Sequence, residues 1–247
     1  MLERLKRHPL PVAAHFRHSV VVTYAFPREV LSELLPAGLV LDTHLGLGFA
    51  AVALVQTEQL RPAFVPPRLG QSFFLSGYRI FVRRAGRPSL RGLYILRSDT
   101  DRRSMVVLGN LFTRYAYRLA KVSVTERPGE LEIDVRTPDA EADLHVVADL
   151  ESRPAPLPHG SPFATLDEAR RFAGPLPHTF DHEPSTGSLI VVRATRTAWE
   201  PQPVTVAVRR ATFFDRTPFS GAEPLLANAF HVGGIDYRWE RGTVEPA

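Results

Sequence analysis

Short segments in which apolar and polar residues alternate recur along the whole of this 247-residue chain. In residues 131–136 (LEIDVR) every second side chain is apolar, which is typical of a β-strand with one face in water. Residues 204–208 repeat the pattern with valine. Strand-like segments are spread evenly, with no linker or internal repeat. We therefore predict one β-rich α+β domain over residues 1–247, built on a closed or nearly closed antiparallel sheet, with residues 1–14 as a short N-terminal arm.

One long stretch, residues 96–122, departs from this pattern. Its apolar residues recur at intervals of three and four, which predicts a single amphipathic helix across the stretch. Asp99 and Asp101 precede the helical pattern, where acidic groups favour a helix N-terminus. A long helix in a chain composed mostly of strands is expected to cover the mouth of the sheet. The predicted apolar stripe consists of Met105, Leu108, Phe112, Tyr115 and Leu119.

Two other segments give specific predictions. Residues 121–126 and 130–137 form a predicted hairpin around Pro128-Gly129, with residues 143–150 as a third strand of the same meander. Thr165 and Glu168 have the spacing of a capping box, which predicts a short helix that ends at Phe172.

Composition excludes several classes of protein. The net charge is +4, but the basic residues are dispersed and form no basic arm, so we predict no nucleic-acid partner. No apolar run reaches the roughly 18–20 residues of a membrane span, so we predict no membrane partner. The N-terminus lacks the apolar core of a signal peptide, which favours a cytoplasmic location. There is no cysteine, and Lys6 and Lys121 are the only lysines, so amine chemistry has two candidates in the chain.

Four stretches together resemble a known family. They are LLPAGLVLD at residues 34–42, FFLSGYRIFV at residues 73–82, residues 92–122, and HVGGIDYRW at residues 231–239. Their order and spacing are similar to the acetoacetate decarboxylase-like superfamily, and more closely to its uncharacterised YqjF-like branch, DUF2071. The resemblance implies a β-barrel or double-cone with a helix packed at its mouth. It also implies a homo-oligomer, since members are commonly oligomeric.

The resemblance fails at the reactive residue. Acetoacetate decarboxylases form a Schiff base through a lysine amine, beside a second lysine, in a Tyr-Pro-Lys-Lys-Leu context. The matching residues here are Tyr115-Ala-Tyr-Arg-Leu119, so Tyr117 stands at the position of the nucleophile and Arg118 at that of its neighbour. A tyrosine cannot form a Schiff base, and an arginine stays protonated. The substrate-side arginine of the family falls on Arg17, whereas its glutamates align with Ala50 and Arg68.

The candidate site residues follow from these observations. Tyr117, Arg118 and Lys121 are the candidates for catalysis. Lys121 is the one side-chain amine close to the position of the family's nucleophile. Arginines and tyrosines are the candidates for binding an anionic or carbonyl ligand, because a guanidinium matches a carboxylate with two hydrogen bonds. The alternative for each arginine is a structural ion pair, for instance of Arg97 with Asp99 or Asp101. The candidates for ligand binding are Arg17, Arg79, Arg97, Tyr115, Tyr117 and Arg118.

Three functions remain open at this point. The first is binding of a small organic ligand, such as a keto acid or carboxylate, in a barrel pocket without Schiff-base chemistry. The second is a lyase or isomerase of altered mechanism that uses tyrosine and arginine on a keto acid. The third is a structural or partner-binding barrel. No nucleotide or hydrolase motif is present, and His178 and His182 lack the helical setting of a metal pair, so we predict no cofactor and no metal.

Overall fold

A computed structural model describes residues 2–152, 154–173, 176–197 and 199–246. Most of these residues are in strands. None of the helices in the described part of the chain is long and apolar enough to cross a membrane. The strands are β1 Val12–Pro27, β2 Leu39–Leu41, β3 Leu47–Pro62, β4 Gln71–Arg84, β5 Arg87–Thr100, β6 Tyr117–Leu119, β7 Lys121–Arg127, β8 Glu130–Arg136, β9 Leu144–Asp149, β10 His178–Glu183, β11 Ser188–Arg196, β12 Gln202–Pro203, β13 Thr205–Ala211, β14 Leu225–Trp239 and β15 Thr243–Pro246. The helices are α1 Leu2–Leu5, α2 Arg28–Ser32, α3 Arg103–Phe112 and α4 Leu166–Ala173, with 3-10 turns at Pro67–Leu69 and Thr212–Asp215.

Seven strands form a closed ring. They pair in the order β14, β1, β3, β4, β5, β10 and β11, and β11 then pairs again with β14. The closing contact sets Ala194 opposite Trp239 and Arg196 opposite Tyr237. The predicted closed, β-rich architecture is confirmed. Neighbouring strands of the ring pair antiparallel as predicted, except at β5, which pairs in parallel with β10 and with the short β6.

A second sheet covers the outer face of the ring. Its order is β13, β9, β8 and β7, and it contains the predicted hairpin and third strand, which are confirmed. The apolar side chains of Leu131, Ile133 and Val135 are buried against outward-facing residues of β1, β3 and β4, including Val22 and Ile80. Because this separate sheet packs on one face of the ring, the opposite face is the inner one.

The inner face has two apolar regions. One forms where α4 packs on Ala25, Phe49 and Phe81. The other contains Phe16 and Tyr237, which stack with ring centroids 4.8 Å apart. The predicted helix at residues 165–172 is confirmed as α4. Its N-terminus has the expected cap: the Thr165 hydroxyl accepts a hydrogen bond from the Glu168 backbone N–H at 3.1 Å, and the Glu168 carboxylate accepts one from Ala164 at 2.7 Å.

The predicted helix over residues 96–122 is wrong in extent, because only α3, Arg103–Phe112, is helical. Residues before it continue β5, and residues after it form β6 alongside β5. The helix ends at Thr113, which is extended, and Ala116 adopts a left-handed conformation with φ of +52°, which an α-helix cannot contain. Residues 117–119 instead pair with residues 98–100 of β5. The predicted stripe is also divided, since Met105 is buried whereas Leu108 is exposed.

Arg97 connects the ring to the second sheet. Its Nε donates to both carboxylate oxygens of the buried Asp99 at 3.0 Å. Its terminal nitrogens lie 3.4 Å from Asp139 and 3.3 Å from Glu141, which precede β9. Arg118 contacts the same two carboxylates from the surface, where half of its side chain is exposed. The two arginines therefore share partners but differ in burial.

This difference predicts unequal costs of substitution. Arg97→Met leaves a buried carboxylate without its cation and should lower the free energy of unfolding by about 3–5 kcal/mol. Arg118→Met, the matched control, should lower it by at most about 1 kcal/mol, because exposed ion pairs contribute little. Urea denaturation of the two variants measures both values. Equal losses would contradict a structural role for Arg97.

Candidate functional site

Arg79 lies at the centre of the inner face. It is on β4 and pairs with Ala51 on β3, which pairs with Thr23 on β1, which in turn pairs with Asn228 on β14. Side chains of directly opposed residues share a face of a sheet, so these four residues form one row across the inside of the ring. The row separates the two apolar regions of the inner face. Apolar packing therefore holds the walls on either side of a polar strip.

Arg79 is a half-buried cation for which the described residues provide no counter-ion. In the described part of the chain it makes no ion pair, and its buried Nε has no hydrogen-bond partner. Burial lowers the pKa of the guanidinium from its usual value, because the charged form loses hydration inside the ring. The guanidinium folds back over Gly77, where an added Cβ would lie 2.8 Å from one of its terminal nitrogens. Glycine at position 77 is thus what makes room for it.

Three tyrosines face Arg79. The hydroxyls of Tyr237, Tyr117 and Tyr115 all lie within electrostatic range of its guanidinium. Burial raises the pKa of Tyr117 to about 12 and raises the pKa of the other two above its usual value. The three phenols are therefore neutral at physiological pH. They supply hydroxyl groups that donate hydrogen bonds, but they do not balance the charge of Arg79.

Tyr117 reaches this position because α3 contains a glycine. An added Cβ on Gly109 would lie 2.4 Å from the Tyr117 ring, so only glycine allows the ring to pack against the helix. Asn110 fixes the backbone of the same residue from both sides: its side-chain amide donates to the Tyr117 carbonyl at 2.8 Å, and its side-chain oxygen accepts from the Tyr117 N–H at 2.9 Å. The short α3 thus acts as a support for Tyr117.

Two more polar atoms of the row have no partner. The hydroxyl of Thr23 and the side-chain oxygen of Asn228 are buried and make no hydrogen bond with the described residues. Buried polar groups are nearly always satisfied in native proteins, so a cluster of exceptions needs an explanation. Together with Arg79 Nε, these atoms give the middle of the inner face a hydrogen-bonding capacity that the described chain itself does not use.

The sequence analysis missed Asp181, an ionisable group on β10. Asp181 lies within electrostatic range of the Tyr115 hydroxyl and accepts hydrogen bonds from the backbone N–H groups of Arg114 and His182, at 3.1 and 2.8 Å. Burial raises its pKa from 3.8 to about 6. A carboxyl with this pKa can give up and take back a proton near neutrality. Its neighbours in sequence, His178 and His182, had directed attention to metal binding instead.

The N-terminal arm contributes His8. Its ring lies 5.0 Å from that of Tyr115, and burial lowers its pKa to about 4, so the imidazole is neutral. The arm is held by Arg7, which pairs with the carboxylate of Glu183, and Arg114 pairs with the same carboxylate. The arm thus covers the Tyr115 end of the interior. No local sequence pattern signals this cover of the interior, because its contacts join residues far apart in the chain.

Arg196 and Trp199 form the opposite end. The Arg196 guanidinium donates to the Tyr237 hydroxyl at 3.2 Å and lies 4.4 Å from the centre of the Trp199 ring. Trp199 also lines a cleft of about 660 Å³ beside α4, with Arg91, Asp167, Arg170 and others. Arg196 is not among the residues predicted from the sequence, because it meets Tyr237 only through the pairing of β11 with β14.

The remaining predicted residues lie elsewhere. Arg17 is exposed and pairs with Glu126 at 2.9 Å. Arg97 and Arg118 belong to the carboxylate network between the ring and the second sheet. Lys121 is exposed on β7. Of the predicted set, the structure therefore brings together only Arg79, Tyr115 and Tyr117. Within the residues that the structure describes, no three histidines, aspartates or glutamates converge as a metal site would require.

Comparison with known proteins agrees with the fold. Residues 13–232 match the model of DUF2071, a family described as an uncharacterized conserved protein. A search of curated proteins finds no match.

Solved structures with the same architecture include three enzymes. Acetoacetate decarboxylase from Legionella pneumophila has a TM-score of 0.64 and 13% identity, covering 96% of this chain and 88% of its own. An acetoacetate decarboxylase-like enzyme from Sphingomonas wittichii RW1 has a TM-score of 0.57 and 16% identity, covering 98% and 95%. The enduracididine biosynthesis enzyme MppR, complexed with pyruvate, has a TM-score of 0.61 and 12% identity, covering 96% and 90%. Such identities establish a shared fold alone. The chain belongs to the DUF2071 family and has the acetoacetate decarboxylase-like fold.

Proposed function

We propose that this protein binds a small carboxylate, such as a keto acid, inside the strand ring, and that it does so without Schiff-base chemistry. The observation that carries the proposal is Arg79, a half-buried guanidinium whose Nε is buried, with no carboxylate partner in the described chain and three tyrosine hydroxyls in range. A guanidinium offers two parallel N–H donors, which match the two oxygens of a carboxylate. The tyrosines then suit a neighbouring carbonyl or hydroxyl group.

The energetics favour a binding role over a structural one. A guanidinium that has lost part of its hydration and has no carboxylate partner among the described residues carries a desolvation cost and stabilises nothing in the folded chain. Structural arginines of this protein show the alternative, since Arg97 is surrounded by carboxylates. An arginine kept unpaired in the interior is best explained by an anion that arrives from outside. The polar atoms of Thr23 and Asn228 on the same row support this explanation.

The absence of Schiff-base chemistry rests on where the two lysines lie. Lys6 is in the N-terminal arm and pairs with Glu3 at 3.1 Å. Lys121 is exposed on β7, a strand of the second sheet, which packs on the outer face of the ring. At the position of the family's nucleophile, Tyr117 keeps its proton at physiological pH and serves as a hydrogen-bond donor.

A relative supports the choice of ligand class. MppR, which shares the fold, has been solved in complex with pyruvate, a small keto acid. We extend this ligand class, small keto acids, to the present chain as part of the proposal.

A second candidate function, a lyase or isomerase of altered mechanism on a keto acid, is favoured by Asp181. Its pKa of about 6 suits proton transfer at neutral pH, and it lies near the Tyr115 hydroxyl on the wall that faces Arg79. In this function Arg79 would hold the carboxylate and stabilise developing negative charge, while Asp181 moved the proton. Homo-oligomerisation, the cytoplasmic location and the third function, a structural barrel, stay predictions from the sequence.

Binding of propionate and pyruvate tests the proposal. Both should bind the wild-type protein, and Arg79→Gln should weaken each by at least tenfold, because hydrogen bonds to a charged group contribute about 1.5–3 kcal/mol. Isothermal titration calorimetry measures the affinities. Arg118→Gln, which alters a surface arginine of the carboxylate network, is the control and should bind like wild type. Binding that is indifferent to Arg79 would refute the proposed site.

The same ligands test the chemistry. Borohydride reduction in the presence of pyruvate or acetoacetate should leave the mass of the protein unchanged. A stable adduct on Lys121 would show that the amine mechanism survives.

The raised pKa of Asp181 predicts that the free energy of unfolding depends on pH. Because the folded protein holds this proton more tightly than the unfolded chain, ionisation of Asp181 lowers stability progressively as the pH rises from about 4 to about 6. The shift from 3.8 to about 6 corresponds to roughly 3 kcal/mol. Asp181→Asn should therefore gain up to this amount relative to wild type between pH 4 and pH 7, as measured by urea denaturation.

Glu183 provides a control of opposite sign. The hydrogen bond from Arg7 lowers its pKa to about 2, so its contribution to stability is lost as the pH falls from about 4 towards 2. Glu183→Gln should lose stability relative to wild type above pH 4. If plots of the free energy of unfolding against pH run parallel for wild type and Asp181→Asn, Asp181 has an ordinary pKa.

A further inference from the structure

Arg196 is a second arginine of the ring interior that has no carboxylate partner among the described residues. It lies on β11 at the closing contact, opposite Tyr237 on β14. Its hydrogen bond goes to the Tyr237 hydroxyl, and the faces of Trp199 and Tyr237 lie 4.4 and 5.5 Å from its guanidinium carbon. The structure shows no ion pair for it within the described ranges. Burial lowers the pKa of its guanidinium, as it does for Arg79.

Tyr237 lies between the two cations. Arg196 and Arg79 both act electrostatically on its hydroxyl, so both guanidinium groups are near the same point of the interior. Burial nonetheless raises the pKa of Tyr237, and the neutral phenol balances neither of them. The interior thus holds two positive charges that the described part of the chain leaves uncompensated. One carboxylate on Arg79 would neutralise only half of this charge.

The groups around Arg196 are donors. The indole N–H of Trp199 is buried and makes no hydrogen bond with the described residues. An indole and a guanidinium can only donate, so a group that satisfies both must accept. Asp181, the buried carboxylate of the interior, does not serve here, since backbone N–H groups of Arg114 and His182 hold its oxygens and Arg114 is the cation that acts on it. The donors at Arg196 therefore suit an external anionic group.

We propose that the ligand is a small acid with two anionic groups, one bound by Arg79 and the other by Arg196 and the Trp199 indole N–H. This inference rests on the proposed function and specifies its substrate class. The second group is a carboxylate or a phosphate, which offer the same acceptor chemistry to a guanidinium. The Tyr237 hydroxyl, which already accepts from Arg196, lies where it can donate to either group.

The cleft beside α4 is consistent with this class of ligand. It is lined by Trp199 and by three arginines, Arg91, Arg170 and Arg171, with Asp167 the one acidic residue. Arg91 is bound to the buried Asp42, whereas Arg170 and Arg171 are exposed on α4. A positively charged approach raises the local concentration of an anionic ligand and its association rate. The approach ends at Trp199, which covers Arg196.

A series of acids with one or two anionic groups tests the inference. Propionate is compared with malonate, succinate and glutarate, which cover a range of separations, and with 3-phosphonopropionate, at constant ionic strength by calorimetry. At least one acid with two anionic groups should bind tenfold or more tightly than propionate. Whether succinate or 3-phosphonopropionate binds more tightly identifies the second group as carboxylate or phosphate. If no such acid exceeds propionate, the inference is overturned.

Variants locate the second group. Arg196→Gln should reduce the tighter binding to the level of propionate, whereas Arg79→Gln should weaken every acid, propionate included. Arg196→Lys, which keeps the charge, should retain part of the preference and guards against a folding defect. Arg193→Gln, on the exposed face of the same strand, is the matched control.

A preference that survives Arg196→Gln overturns the assignment to Arg196. Propionate binding that depends on Arg79 without any preference would leave the proposed function standing and refute this inference alone, whereas binding independent of Arg79 would refute both.

Discussion

The pairing of β11 with β14 is the contact on which the rest of the molecule depends. Three residue pairs, from Ala194–Trp239 to Arg196–Tyr237, turn a seven-strand sheet into a ring and so create an inside. Without this contact Arg79 would lie on an open sheet in water, where an unpaired guanidinium costs nothing. Closure also leaves few exposed edges, which otherwise invite pairing with other chains. The residues that close the ring are the same ones that build one end of its polar interior.

The interior combines apolar walls with a polar strip. Apolar residues on both sides of the row from Arg79 to Asn228 provide the burial that holds the ring, while Gly77 leaves the room that the Arg79 guanidinium occupies. Such a row lowers stability, because its polar atoms lose water and gain no partner. Sites that bind ligands commonly carry this kind of local cost. The fold tolerates it because the second sheet and α4 bury large apolar surfaces elsewhere.

The sequence predicted the local elements well and the site in part. Alternation in residues 131–136 and the capping box at Thr165 identified their elements, since both signals act over a few residues. Arg79, Tyr115 and Tyr117 were among the residues predicted to bind a ligand. The helix end was missed because the left-handed Ala116 and the parallel pairing of β6 with β5 are invisible to helical periodicity. Arg196 and Tyr237 meet only through ring closure. In the sequence, Arg79 and Arg97 are equivalent candidates. The structure distinguishes them, because Arg97 pairs with carboxylates whereas Arg79 has no carboxylate partner among the described residues.

The most direct test of the account is the stability of Arg79→Met without ligand. If Arg79 is a half-buried cation that has no partner among the described residues and is kept for an anion, an apolar side chain of similar length should raise the free energy of unfolding by roughly 0.5–2 kcal/mol, as replacements at strained functional positions do. The same variant should lose carboxylate binding. Urea denaturation at low ionic strength, with anions kept out of the buffer, gives the value. A loss of stability like that expected for a paired arginine would contradict the account, because it would mean that Arg79 supports the fold.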